Sequence, residues 1–257
     1  MEFHQSTVAQ MDKEKVQNNL IIDLDQANQL ELVTIPKGRF LMGSTAASHE
    51  GPIRPVNIPA FLMGKFAVTQ KQWRIVAGDF DWSETVLPPE PSFFKGNQHP
   101  VERITWYEAV EFCNRLTLKF GRTFRLPTEA EWEYACRAGS TNSFFFDETK
   151  EAIGDYAWYN ENSGHHTHPV GQKLPNPWGL YDIVGNAWEW CQDRWHRTYD
   201  GAPNDNSPWL EDSVNEGRLL RGASWNAFPG ACRSTPRNRM LPSYRAFYYG
   251  LRVVCEL

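Results

Sequence analysis

The second half of this chain constrains its fold most, because no sustained apolar period runs through it. From about residue 140 onward, short apolar stretches alternate with Asn, Pro and Gly, which predicts small strands joined by long ordered loops. The chain also contains 11 Trp, 9 Tyr and 15 Phe beside 18 Gly and 17 Pro, while its mean hydropathy is only -0.56. Such a composition favours a compact, loop-rich fold with an aromatic core.

Three helices are predicted in the first half of the chain, and each begins at a capping box. In such a box, a Thr side chain and a Glu or Gln side chain each accept a hydrogen bond from an unpaired backbone amide. The three boxes are Thr69 with Gln72, Thr105 with Glu108, and Thr128 with Glu131. We expect the helices to end at the next glycines, which are Gly78, Gly121 and Gly139. With the short strands around them, these helices predict an α+β fold.

At 257 residues, the chain is long enough for one large domain. Residues 1–28 are polar and are expected to form an N-terminal arm, with a short helix over residues 13–28 as the one element they could form. Patterned sequence begins at Leu30, where two short strands joined by a turn are predicted. The expected organisation is therefore an arm over residues 1–28 and one domain over residues 29–257.

Charge and hydropathy exclude several classes of protein. The net charge of -5 argues against a general nucleic-acid binder, which needs a basic face. No stretch reaches the apolar length of a membrane span, and the N-terminal residues lack the apolar core of a signal peptide. We therefore expect neither a nucleic-acid partner nor a membrane partner, and we expect the protein in the cytoplasm.

The cysteines do not form a recognisable framework. They are odd in number, widely separated and show no C-x-x-C spacing, which argues against disulfide pairing and against a zinc site. They are Cys113, Cys136, Cys191, Cys232 and Cys255. Reduced, buried thiols are the expected state.

A series of motifs occurs along the chain in one order. The most specific are RLPTEAEWE at 125–133, GNAWEW at 185–190, RGASW at 221–225 and GLRV at 250–253. Others lie at residues 35–44, 68–73, 99–101, 106–113 and 176–182. Together they resemble the sulfatase-modifying-factor, or formylglycine-generating-enzyme, family over about residues 30–255. The resemblance implies a C-type-lectin-like fold of the formylglycine-generating-enzyme type, with few short strands and helices and long ordered loops.

The family's enzymatic residues are incomplete in this chain. In active members, as the resemblance implies, two cysteines five residues apart bind copper, and Cu(I) needs both thiolates. Cys232 matches the second cysteine, but Ala227 stands at the first, and no histidine nearby in sequence replaces the missing ligand. We therefore predict that the protein is not an enzyme and holds no copper. Two alternatives stay open, namely a formylglycine-generating or related oxidase that uses Cys232, and a catalytically silent paralogue with a regulatory role.

Residues 221–255 also resemble the variable region of a diversity-generating retroelement variable protein. In such regions, fixed frame residues alternate with positions randomised mostly at Asn codons, and the types found here between the frame residues are reachable from Asn, except Met240. The implied ligand-binding positions are Ala227, Phe228, Gly230, Ala231, Pro236, Asn238, Leu241, Ser243, Tyr244, Ala246, Phe247 and Tyr248. The leading interpretation is a non-enzymatic protein that presents a diversified aromatic surface to an unknown partner, expected to be a protein.

Composition supports this interpretation independently of the resemblance. Aromatic rings set among small residues on loops are typical of a paratope, although such rings could also belong to the core. The aromatic residues concerned are Phe228, Tyr244, Phe247, Tyr248 and Tyr249. We expect most of them to be exposed, and we expect the frame arginines to hold the loops through ion pairs or backbone carbonyls. Those arginines are Arg221, Arg233, Arg237 and Arg252, and a solvated basic patch is their alternative role.

Two further segments have residues suited to metal binding. The run Asp182, Gly185, Ala187 and Glu189 resembles the family's second calcium site, where side-chain and carbonyl oxygens are the ligands. Its alternative is a tight turn in which Asp182 caps backbone amides and Glu189 pairs with an arginine. His165, His166 and His168 form a histidine run in a Ser-Gly loop, for which metal binding and a solvated turn are the alternatives.

Overall fold

The computed structural model describes residues 19–78, 85–146, 150–211 and 217–257. Over these ranges, the strands are β1 Leu20–Asp25, β2 Asn28–Ile35, β3 Gly38–Met42, β4 Arg54–Ile58, β5 Phe61–Gly64, β6 Phe124–Arg125, β7 Trp188–Arg194, β8 Arg218–Arg221, β9 Asn238–Met240, β10 Tyr249–Gly250 and β11 Val254–Cys255. The helices are α1 Gln70–Gly78, α2 Trp106–Phe120, α3 Glu129–Arg137 and α4 Lys150–Tyr156. Short 3-10 helices lie at Ser48–Glu50 and Pro229–Cys232. These short elements and long loops confirm the α+β prediction.

The strands of the described residues form three sheets. The first has the order β1-β2-β5-β11-β6, so the last strand of the chain lies between β5 and β6. The second has the order β10-β7-β8-β9, in which β10 runs parallel to β7 and the other pairs are antiparallel. Strands β3 and β4 form a separate antiparallel pair. The second sheet supports the predicted variable region, because β9 and β10 lie within residues 221–255 and β8 ends at residue 221.

The capping boxes are present at all three predicted helix starts. Both reciprocal hydrogen bonds form at Thr105 and at Thr128, and the corresponding pair joins Thr69 to Gln72. Gly121 ends α2 in the left-handed conformation at φ 65°, as expected. Helix α3 ends one residue earlier than predicted, because Ala138 takes the left-handed position at φ 45° and donates its amide to the carbonyl of Tyr134.

Two sequence expectations are wrong. Residues 20–28 are not part of a polar arm, because β1 pairs with β2 from Leu20 opposite Leu32 and buries Ile22 and Leu24. The helix suggested over residues 13–28 is replaced by this strand from residue 20, and its first residues lie outside the described part of the chain. A short helix, α4, also occurs after residue 140, where none was predicted.

Large aromatic side chains occupy the core. Trp73, Trp132 and Trp190 are fully buried, and the ring of Trp73 stacks on Phe112 with centroids 5.2 Å apart. All five cysteines are buried and unpaired. Among the described residues, no helix has both the length and the apolar character needed to cross a membrane.

Candidate ligand-binding site

Arg221 ties the predicted variable region to the rest of the domain. Its side chain is fully buried and lies 2.6 Å from the carboxylate of Glu133 in α3. The same guanidinium donates to the carbonyl oxygens of Ser234 at 2.9 Å and Thr235 at 2.7 Å. A charged group at this depth is stable only when it is paired and hydrogen-bonded. Arg221 therefore fixes the backbone of residues 234–236 against α3.

The other three frame arginines act in the same way. Arg233 binds Glu50 through two hydrogen bonds of 3.0 and 2.9 Å. Arg237 lies 2.6 Å from Glu129, and Arg252 lies 2.8 Å from Glu189. These contacts confirm the ion pairs predicted for the frame and exclude the solvated patch.

The protonation of Glu50 illustrates how strongly one of these pairs is held. Burial alone would raise its pKa, but hydrogen bonds from Arg233, Ser44 and Thr235 outweigh burial and lower the pKa to about 2. Because the carboxylate stays ionised throughout the ordinary pH range, the charge that Arg233 needs is always present.

Between the frame residues, the structure exposes half of the twelve predicted ligand-binding positions. Phe228 is 75% exposed, Leu241 53%, Tyr244 48% and Phe247 42%. The exposed set, which we call the exposed variable positions, is Phe228, Gly230, Leu241, Ser243, Tyr244 and Phe247. The half-buried set is Ala227, Ala231, Pro236, Asn238 and Tyr248. The exposure predicted for the tail aromatics is thus confirmed for Phe228, Tyr244 and Phe247.

Two predicted surface residues are buried instead. Ala246 is 5% exposed, and its carbonyl oxygen accepts the amide of Arg103. Tyr249 is 2% exposed, because β10 pairs with β7 and directs its ring toward Trp190 at 5.4 Å. Sequence could not reveal either position, because both depend on contacts with distant segments.

Aromatic residues from outside the predicted variable region join the same surface. Phe93 lies 5.8 Å from Phe247, and Phe94 lies 5.5 Å from Trp225, measured between ring centroids. Trp225 also stacks on Phe247 at 5.9 Å and donates its Nε1 hydrogen to the carbonyl of Phe247. Trp225 itself is buried, at 7% exposure, so we call Phe93, Phe94, Phe247 and Tyr248 the aromatic face. Sequence analysis missed the first two, although a Phe pair in a Pro-, Ser- and Gly-rich segment was a visible signal.

Glu102 anchors the segment that carries Phe93 and Phe94. Its side chain is fully buried, and its Oε1 atom accepts the amide of Phe94 at 2.9 Å. Ser92 donates its hydroxyl to the Glu102 carbonyl and accepts the Glu102 amide. The second carboxylate oxygen, Oε2, is buried without a hydrogen-bond partner. Burial raises the pKa of Glu102 to about 7, against the opposing hydrogen bond from Phe94.

The histidine run lies next to the aromatic face, on the side of Phe94. His166 lies 6.2 Å from Phe94 and 4.2 Å from His168, whose ring stacks on Trp158 at 3.7 Å. His165, which is exposed, takes a left-handed backbone conformation at φ 66°. Within the described ranges, no group of three or more His, Cys, Asp or Glu side chains is arranged to hold a metal ion. These rings therefore contribute a stacked polar margin to the surface.

Cys232 is poorly placed for catalysis. It lies at the end of the 3-10 helix Pro229–Cys232 with only 1% of its surface exposed. Burial and the nearby Cys136 thiol raise the pKa of Cys232 to about 12, so the thiolate needed by a nucleophile or a copper ligand is rare at neutral pH. Ala227 has no side-chain donor, and its carbonyl oxygen accepts the amide of Asn160.

The run proposed for calcium forms a buried turn. Glu189 accepts from Arg252 and from Trp132 Nε1, which matches the arginine-paired alternative. Asp182 accepts the amide of Gly171 through Oδ2, while its Oδ1 has no partner and burial raises its pKa to about 6. Gly185 and Ala187 are buried beside them. The Oδ1 atom of Asp182 is thus available as a cation ligand, and calcium binding stays a prediction. Thermal melting of wild type and Asp182→Asn, each with and without CaCl2, would decide it.

Comparison with known proteins identifies the family. The model of the sulfatase-modifying factor enzyme 1-like domain matches residues 19–257. The chain belongs to this family. The formylglycine-generating enzyme of Bos taurus is 31% identical, over 88% of this chain and 75% of that protein. The inactive C-alpha-formylglycine-generating enzyme 2 of Bos taurus is 30% identical, over 79% of each.

A solved structure of a variable protein is similar to this chain along most of its length. The Treponema denticola variable protein 1 superposes with a TM-score of 0.84 and 28% identity, over 93% of this chain and 99% of that one. The fold and both resemblances predicted from the sequence motifs are therefore confirmed.

Proposed function

We propose that this family member is a non-enzymatic binding protein that presents the aromatic face and the exposed variable positions to a protein ligand. We further propose that residues 221–255 are diversified by a retroelement. The observation that carries the proposal is the exposure of Phe228, Tyr244 and Phe247 on backbone that buried ion pairs hold in place. Rigid aromatic anchors bind with a small entropy cost, because few torsions are immobilised.

Cys232 supports the non-enzymatic part of the proposal. A buried thiol with a pKa of about 12 gives almost no thiolate at neutral pH, and Ala227 supplies no second sulfur. The test is incubation with Cu(I), oxygen and a Cys-x-Pro-x-Arg peptide. We expect no formylglycine product, and turnover that disappears on Cys232→Ala would refute the proposal. Ala227→Cys is the matched variant, because it restores the missing cysteine of the family pair.

Diversification has its own test at the level of DNA. A near-repeat of the sequence encoding residues 221–255, differing mainly at adenines and lying beside a reverse transcriptase gene, would support it. A complete surrounding locus without such a repeat would refute the diversification, while leaving a fixed binding surface as the remaining possibility.

The rigid-frame part of the proposal is testable without knowing the ligand. A library that randomises the exposed variable positions should keep its free energy of unfolding within about 0.5 kcal/mol of wild type for most members, because surface substitutions away from special contacts cost little. Ala246→Tyr is the matched control at a buried position of the same segment, where overpacking is expected to cost about 1–3 kcal/mol. Equal loss of stability at both kinds of position would contradict the proposal.

A regulatory paralogue is the second candidate, and the similarity to an enzyme named as inactive favours it. Its test is the addition of this protein to an active formylglycine-generating enzyme. A change in turnover that saturates with its concentration would support this candidate over the binding protein, and unchanged turnover would remove it.

A further inference from the structure

A basic cleft borders the predicted variable region. It lies between the 3-10 helix Ser48–Glu50, the segment after β7, and β9, and it has a volume of about 810 Å³. Its lining residues are Ser48, His49, Trp195, Arg197, Arg237, Asn238 and Arg239, and none of them is acidic. The cleft is therefore positive, although the chain as a whole has a net charge of -5.

Two arginines supply the unneutralised charge of the cleft. Arg197 and Arg239 are exposed, and neither forms an ion pair with any carboxylate among the residues that the structure describes. Arg237 differs from them, because its charge is already balanced by Glu129 at 2.6 Å. As far as the described residues go, the charge available to a ligand is therefore that of Arg197 and Arg239.

The rings of Trp195 and His49 form an aromatic wall of the cleft next to these charges. The guanidinium of Arg239 lies 5.0 Å from the centroid of the Trp195 ring, within cation-π distance, and the ring of His49 lies 5.8 Å from Trp195. An arginine held over a ring has fewer conformations to lose when it binds an anion. The wall also offers an apolar surface to the methylene groups of an acidic side chain.

The cleft contains a residue of the predicted variable region. Asn238, one of the predicted ligand-binding positions, lines the cleft, and its side chain lies beside that of Tyr249. The Tyr249 ring lies 4.8 Å from Tyr248, which belongs to the aromatic face. The cleft therefore includes one position of the predicted variable region and lies near a second.

We propose that this cleft binds an acidic segment of the protein ligand, with Arg197 and Arg239 pairing to its Asp or Glu side chains. The proposal rests on the binding function proposed above. Guanidinium groups pair with carboxylates through parallel hydrogen bonds, and the two arginines come from separate segments, which suits an extended chain with several carboxylates. The volume of the cleft also exceeds the space that a single inorganic phosphate needs.

The test uses a fluorescein-labelled poly-glutamate peptide, with fluorescence anisotropy at low salt (~25 mM NaCl), where surface charge is weakly screened. We expect saturable binding, no binding of a poly-glutamine peptide, and a dissociation constant raised about tenfold by the double substitution Arg197→Gln, Arg239→Gln. The control, Lys37→Gln with Arg39→Gln, changes net charge equally at two exposed positions that do not line the cleft, and it should leave binding within about twofold.

The proposal would be overturned by absence of peptide binding, by equal weakening in both double variants, or by displacement of the peptide by low millimolar inorganic phosphate. Phe247→Ser should not affect this probe, because poly-glutamate does not need the aromatic face. If the peptide does not bind, but the randomised library keeps its stability and the DNA near-repeat is found, only the acidic subsite is refuted. If the randomised library loses stability, the proposed binding function is refuted, and the acidic subsite is refuted with it.

Discussion

Glu102 provides the sharpest test of the structure beneath the aromatic face. Its carboxyl group is fully buried, one oxygen accepts the amide of Phe94, and the other oxygen has no partner. Burial therefore favours the protonated form, and the pKa rises from 4.5 to about 7. The perturbation we propose is Glu102→Gln, which cannot ionise but keeps an oxygen that can accept the Phe94 amide.

The size of the effect follows from the two pKa values. A raised folded-state pKa means that the folded protein binds the proton more tightly than the unfolded chain does. The stabilising contribution is fully present below pH 4.5, decreases as pH rises, and is lost above about pH 7. With about 1.4 kcal/mol per pKa unit, the full change is about 3 kcal/mol.

The assay is urea unfolding of wild type and Glu102→Gln across this pH range. The difference in the free energy of unfolding isolates Glu102, because other buried carboxyls such as Asp193 titrate in both proteins. We expect the variant to gain on wild type by up to about 3 kcal/mol between acid and mildly alkaline pH. Glu211→Gln, at an exposed position, is the control for the substitution itself. If the difference in the free energy of unfolding between Glu102→Gln and wild type does not change with pH, the raised pKa inferred for the buried carboxyl is wrong.

Two further predictions concern the frame and the thiol. Glu133→Gln leaves the Arg221 charge buried without its ionised partner, so chemical denaturation should show a loss of about 3–5 kcal/mol; a loss below about 1 kcal/mol would contradict the role given to this pair. Cys232 should react with a thiol reagent at about pH 8 only after denaturant is added, since the native thiol is buried and almost wholly protonated. Rapid labelling of Cys232 in the native state, located by mass spectrometry, would reopen the oxidase alternative.

Sequence predicted those parts of the structure that follow local or chemical rules. The boxes at Thr105 and Thr128 depend on residues three positions apart, and they form as expected. The pairing of the frame arginines was predictable because a long charged side chain in an aromatic-rich core requires a partner. Sequence could not name those partners, because Glu133 and Arg221 meet only when α3 packs against β8.

The missed features depend on long-range packing or on a weak signal. Phe93 contacts Phe247 because two long-range contacts hold their segments in place. Glu102 accepts the amide of Phe94, next to Phe93, and β10 pairs with β7 shortly after Phe247. Ala246 is small enough for either environment, so its type carried no information about burial. The strand β1 was a different kind of miss, because the inward positions of Ile22 and Leu24 alternate with acidic residues in the sequence itself.

The position of the acidic partners explains how one fold could tolerate variation in its last segment. Every frame arginine lies in residues 221–255, but each pairs with a carboxylate encoded earlier in the chain. Those carboxylates are Glu50, Glu129, Glu133 and Glu189. The remaining acceptors of Arg221 are backbone carbonyls of residues 234–236, which every amino acid provides. Substitution at the exposed variable positions therefore leaves the donors and acceptors of the frame unchanged, so the surface can differ between variants while the loops keep their course.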